Sequence, residues 1–131
     1  MARVYERYGS AITAQASAAI TANTMSGGAT TVIDKALSGN ADGAMWFDCY
    51  INVTTAPSTA ASCEMYIEGS PDGTNYSASE YALTCSVPVA ADRYHLGVLH
   101  STPREFLATI KAISFGFTAT LEIVPVYPAD A

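Results

Sequence analysis

Basic charge is scarce in this sequence. Six Lys and Arg residues stand against twelve Asp and Glu, for a formal net charge of -6. A nucleic-acid surface neutralises phosphates with clustered Lys and Arg, so that class of function is excluded. No basic amphipathic helix is present to lie on a membrane, and no apolar run is long enough to cross one as a helix. His95 and His100 are the only histidines. They are an odd number of positions apart, so in one regular strand they point to opposite faces, which argues against a shared metal ion. Neither GxSxG nor HExxH occurs, and no nucleophile, base and acid assemble into a catalytic set. The chain is therefore expected to be no enzyme and to need no cofactor or metal.

Cysteine is limited to Cys49, Cys63 and Cys85, with no CxxC spacing. Each falls on the apolar parity of a predicted strand, so they are read as buried reduced thiols acting as small hydrophobes. A disulfide between two of them and a catalytic thiol are the alternatives, the latter without a convincing His partner. Ser10 to Ala22 superficially suggests the apolar part of a signal peptide. Thr, Gln and Ser interrupt it, and Glu6 precedes it together with Arg3 and Arg7, so it is not read as one. The chain is expected to stay in a reducing cytoplasm until it leaves by another route.

What is present is apolar and alternating. Half of the 131 residues are hydrophobic and 14% are charged, enough to build one domain with a core. Residues 1–28 are rich in Ala, Ser and Thr and close on the flexible Ser26 to Thr30, SGGAT. They are read as an arm lying on a body or a neighbour, partly as a strand. Residues 29–131 are read as the β domain. Met45 to Val53 places Met45, Phe47, Cys49, Ile51 and Val53 on one face and Trp46, Asp48, Tyr50 and Asn52 on the other, which is strand alternation. The same period puts Cys63, Met65 and Ile67 on one face, Tyr81, Leu83, Cys85 and Val87 on another, then Phe106, Ala108, Ile110 and Ala112, and finally Leu121 and Ile123. Weaker strands are expected at Thr31–Leu37 and Tyr94–His100. Pro125 and Pro128 mark the last strand as an edge, or as ending there. Short strands separated by turn chemistry define an all-β protein, an antiparallel β-sandwich, jelly-roll-like, with an extended N-terminal arm.

The stretch Ile67 to Ala78, IEGSPDGTNYSA, invites comparison with a phosphate or calcium loop. A phosphate loop needs more Gly, a Lys and a following helix. A calcium loop needs several spaced carboxylates. Ser70-Pro71-Asp72-Gly73 fits a tight turn instead, so the stretch is read as the bend of a β-hairpin. Glu64 and Glu68 share a strand face and could in principle act as a glycosidase pair. With Tyr66 between them, a solvated face is the preferred reading.

Met65 to Ala78, MYIEGSPDGTNYSA, resembles a strand-turn-strand pattern found in β-sandwich decoration (cement) proteins of tailed bacteriophages. Size, acidity and an N-terminal arm agree with the resemblance. It implies a structural virion protein on the outer capsid surface, assembled in the host cytoplasm, in which a homotrimer bridges subunits of the major capsid protein. The expected contacts are Arg3, Tyr5, Arg7 and Tyr8 on the arm, Trp46 and Tyr50 on a polar-aromatic strand face, and Arg93 and Arg104 near loops. For Trp46 and Tyr50, cover by a second sheet or by the folded-back arm is the alternative. A tail- or fibre-associated domain binding host-surface carbohydrate is the competing function, with Tyr76, Trp46, Asp72 and Asn75 as its candidates.

Overall fold

Residues 4–130 are described by a computed structural model as nine strands, with no helix among the described residues. One sheet contains β1 (Val4–Tyr8), β2 (Ile12–Ile20), β9 (Phe117–Asp130), β4 (Trp46–Thr55) and β7 (Arg93–Leu99). The other contains β3 (Ile33–Asp34), β8 (Glu105–Ile113), β5 (Ala61–Ser70) and β6 (Glu80–Val87). All pairings are antiparallel, and β2 pairs β9, β3 pairs β8, β4 pairs β7 and β5 pairs β6. A long hairpin rolled into two sheets has this pairing, and the strand order is that of a jelly roll.

The alternating residues explain the two layers. Phe47, Cys49, Ile51 and Val53 of β4, with Leu121 and Ile123 of β9, face Cys63 and Met65 of β5 and Phe106, Ala108, Ile110 and Ala112 of β8. Phe47 and Phe106 meet edge to face across the layers, with ring centroids 5.2 Å apart.

The Ala/Ser/Thr-rich N-terminal stretch lies on its own chain. β1 and β2 run in line along β9, separated at residues 9–11, and the register of β2 shifts between Thr13 and Gln15 and again between Gln15 and Ala18. The chain then crosses to the other sheet and covers the free side of β8. Asn23 N donates to Ala112 O and Ser26 N to Ile110 O, at 2.7 and 2.8 Å. Gln15, 1% exposed, ties the crossing together. Its Oε1 accepts from Ile110 N at 3.1 Å, and its Nε2 donates to Ser26 O and Gly28 O at 3.1 and 3.2 Å.

β9 is an interior strand that continues through both prolines, contrary to the edge expected for it. In an antiparallel ladder a residue's N–H and C=O point to the same side. Pro125 O accepts from Gly9 N at 2.8 Å, so the missing N–H of Pro125 faces the break between β1 and β2. Pro128 faces the β4 side, where β4 begins only at Trp46 opposite Val126. Neither proline removes a ladder bond that a neighbour needs.

The expected strand Thr31–Leu37 shortens to Ile33–Asp34. Side chains capture the backbone beyond it. Asp34 Oδ1 accepts from Ala36 N, Asn40 Oδ1 from Asp34 N and Asp42 Oδ2 from Ser38 N, each at 2.8–2.9 Å. Leu37 is left 89% exposed on the resulting loop.

The edge strands β6 and β7 each carry an inserted residue. The register with β5 passes from Leu83 to Tyr81, and that with β4 from Gly97 to His95. The bulge in β6 turns Tyr81, expected on the core face, outward to 54% exposure against Tyr66. The bulge in β7 requires Gly97, whose φ is +142° and where a Cβ would lie 3.0 Å from Leu83 Cδ2. Gly97→Ala is expected to cost about 1–3 kcal/mol, measured by urea denaturation.

Candidate functional site

The β4 alternation places Trp46, Asp48, Tyr50 and Asn52 on the outer face of the first sheet, and the register extends that face over its neighbours. Across the strands, Tyr8, Val126 and Trp46 stand in one row, Val124, Asp48 and Val98 in the next, Glu122, Tyr50 and His95 in a third, and Thr120, Asn52 and Arg93 in a fourth. His100 continues the first row, its ring centroid 5.8 Å from that of Trp46. Both histidines therefore share one face. The bulge at β7 adds a residue between them and reverses the parity expected from their odd spacing. They are engaged separately, and the described residues contain no group of three side chains fit to hold a metal.

The face is internally bonded. Asp48, 8% exposed, accepts from the Tyr50 hydroxyl at 2.7 Å and contacts His95 Nε2. That bond to Asp48, more than burial, raises the Tyr50 phenol above its ordinary value. The Arg93 guanidinium lies 3.7 Å from the Tyr50 ring centroid and reaches across β4 to Glu122 Oε2 at 3.2 Å. Arg93, Tyr50 and Glu122 thus form a braced surface from three strands. Tyr8 stands 61% exposed beside it. Tyr, Trp and Arg are the residues most enriched at interface centres, and of those on this face Tyr50 and Arg93 are fixed by bonds within the chain.

Of the contacts expected from sequence, Tyr8, Trp46, Tyr50 and Arg93 come together on this face. Arg3 lies outside the described residues. Tyr5 sits in β1 opposite Ala129. Arg7 has the other parity, with its guanidinium 5.1 Å from the Tyr127 ring centroid. Arg104 is exposed between β7 and β8, where its carbonyl accepts from Lys35 N at 2.9 Å. Asp48, His95, His100 and Glu122 were missed, and the only sequence signal for Asp48 was its parity with Trp46 and Tyr50.

The Ile67 to Ala78 stretch is the β5–β6 hairpin connection. The Asp72 carboxylate accepts from Thr74 N, Asn75 N and Asn75 Nδ2, each at 2.9 Å, and from Ser70 Oγ at 3.0 Å. Gly73 has φ +77°, and a Cβ there would collide with the Glu105 carboxylate. Asp72 and Asn75 therefore hold the loop together, while Trp46 lies on the outer face of the other sheet. Glu64 accepts from the Tyr66 hydroxyl at 2.8 Å and Glu68 from Ser79 Oγ at 2.9 Å. No cavity opens among the described residues.

The bonds from Asn75 N and Thr74 N, with the two side-chain donors, hold the Asp72 carboxyl well below its ordinary value of 3.8. A depressed folded-state value adds stability that is complete above the ordinary value and is lost as pH falls through the folded one. The wild type is expected to weaken below about pH 4, and Asp72→Ala to flatten that part of the profile, read from urea midpoints at pH 7 and pH 3.

Fold and face together define a small jelly-roll domain with a polar-aromatic outer face, part of it bonded internally. No protein family, curated protein or solved structure matches the chain.

Proposed function

We propose that the chain is a structural protein of a tailed-phage virion. It decorates the outside of the capsid and bridges major capsid subunits as a homotrimer, with no enzymatic activity of its own. The observation that carries this reading is the outer face of the first sheet, where Asp48 bonds Tyr50 and His95, Glu122 pairs with Arg93, and Trp46 and Tyr8 stand on the same face. A braced surface with no pocket among the described residues suits a protein partner better than a small substrate, which takes a concave site. The jelly roll is a fold of viral capsid proteins, the hairpin resembles those of capsid decoration proteins, and an acidic chain suits an outer surface that does not touch DNA. Lectins also use this fold. The carbohydrate reading is weakened because Asp72 and Asn75 bond each other.

The test is co-sedimentation with expanded shells that lack the protein, quantifying the bound ratio per capsid subunit. Saturable binding at a fixed simple ratio is expected, and no binding would sink the capsid role. Trp46→Ala should weaken binding at least tenfold if Trp46 is an interface anchor, whereas Arg104→Ala, away from the face, should change it little. Removing residues 1–8 should weaken binding if the arm contributes to the contact. A deletion to residue 28 would also remove β2 and the Gln15 bonds, and so would confound binding with stability.

A further inference from the structure

We propose that Cys63 and Cys85 form a cross-strand disulfide when the folded chain meets a disulfide oxidant, stapling the edge strand β6 to β5. The two residues are direct partners in the antiparallel register. Direct partners point their side chains to the same face, with Cα atoms about 4.5–5.5 Å apart, inside the span of about 4.4–6.8 Å that a disulfide bridges. Both are free thiols, Cys63 buried and Cys85 half-buried at the rim of the core. Cys85 is the less buried of the two and sits on a strand with only one ladder partner, so it is the sulfur an oxidant reaches first. Burial, and after it the neighbouring Cys85, raises the Cys63 thiol, and burial raises the Cys85 thiol to about 11, so the exchange is slow at neutral pH and quickens as pH rises. Cys49 has no such partner, since Gly97 and Ile123 stand opposite it.

With glutathione disulfide as the oxidant, the Cys85 thiolate attacks one of its sulfurs and one glutathione leaves as thiol. Cys63 then attacks the Cys85 sulfur in the mixed disulfide, forming the Cys63–Cys85 bond and releasing the second glutathione. The chain loses two electrons and two protons, and the oxidant gains both. The closed loop contains the whole Asp72 hairpin.

The test incubates the full chain with glutathione disulfide well below its melting temperature. Free thiols are then alkylated in denaturant, and the protein is measured by intact mass and peptide mapping. The expected product has lost two hydrogens, carries alkylation on Cys49 alone and yields a linked Cys63–Cys85 peptide. Its Tm is higher than that of the thiol form and returns on reduction. Cys49→Ala should bridge as the wild type does, and Cys85→Ala should not bridge at all. A bridge to Cys49, a stable glutathione adduct on Cys85, full alkylation of all three thiols or a lower Tm after bridging would each overturn the proposal.

Discussion

Gln15→Leu is expected to lower the unfolding free energy by about 3 kcal/mol or more, measured by urea denaturation at neutral pH. Leu matches Gln closely in volume, so the loss isolates the hydrogen bonds from any cavity. Three backbone groups lose their partner: Ile110 N, Ser26 O and Gly28 O. A buried backbone group left unpaired costs about 1–3 kcal/mol, and Gln15 is 1% exposed. Gln15→Glu sharpens the result. It keeps the acceptor for Ile110 N but turns a carboxylate toward two carbonyls. The buried site favours the protonated form, so the folded-state value of the new carboxyl lies above the ordinary one. Its penalty should therefore grow as pH rises above about 4 and shrink below it. A loss under 1 kcal/mol for Gln15→Leu would mean that water replaces the side chain and that the N-terminal crossing does not seal the sandwich.

Gln15 also marks the limit of what local pattern reveals. The alternation at Met45 to Val53, Cys63 to Ile67 and Phe106 to Ala112 is strong because apolar residues mostly face charged or polar ones, and the buried hydrophobic positions there follow it, with Asp48 the buried residue of the other parity. Between residues 12 and 20 the contrast is carried by Ala, Ser and Thr, which differ little in transfer free energy. Its one fully bonded polar side chain therefore reads as solvent-facing. Inserted residues are equally silent. Ala82 and Leu96 are ordinary strand residues, yet each reverses the parity of what precedes it, exposing Tyr81 and bringing His95 onto the face of His100. Only Gly97 hints at this, since Gly inside a strand often marks a bulge. Trp46 and Tyr50 were legible as a pair because they share a strand. Asp48, His95 and Glu122 come from three strands far apart in sequence, and their meeting depends on a register that no local window contains.

Phe47→Ala is expected to cost about 3–5 kcal/mol, as large a loss as any single core substitution in this chain. A domain has only about 5–15 kcal/mol in total, so Phe47→Ala combined with Phe106→Ala should leave no cooperative transition. The informative experiment is a double-mutant cycle with Phe47→Leu and Phe106→Leu, which keeps most of the buried area and removes the edge-to-face contact. A coupling of about 0.5–1.5 kcal/mol is the expected range for such a pair. Additive losses would mean that the two sheets are held by area alone. Phe47 adjoins Trp46 and Asp48 in β4 but points to the core, and this separates two roles on neighbouring residues. Under the proposed capsid role, Phe47→Leu should lower Tm while leaving shell binding unchanged below it, and Trp46→Ala should weaken binding with a much smaller change in Tm. If Phe47→Leu weakened binding as much as Trp46→Ala, the outer face would owe its activity to the rigidity of the sandwich beneath it and not to the side chains it displays.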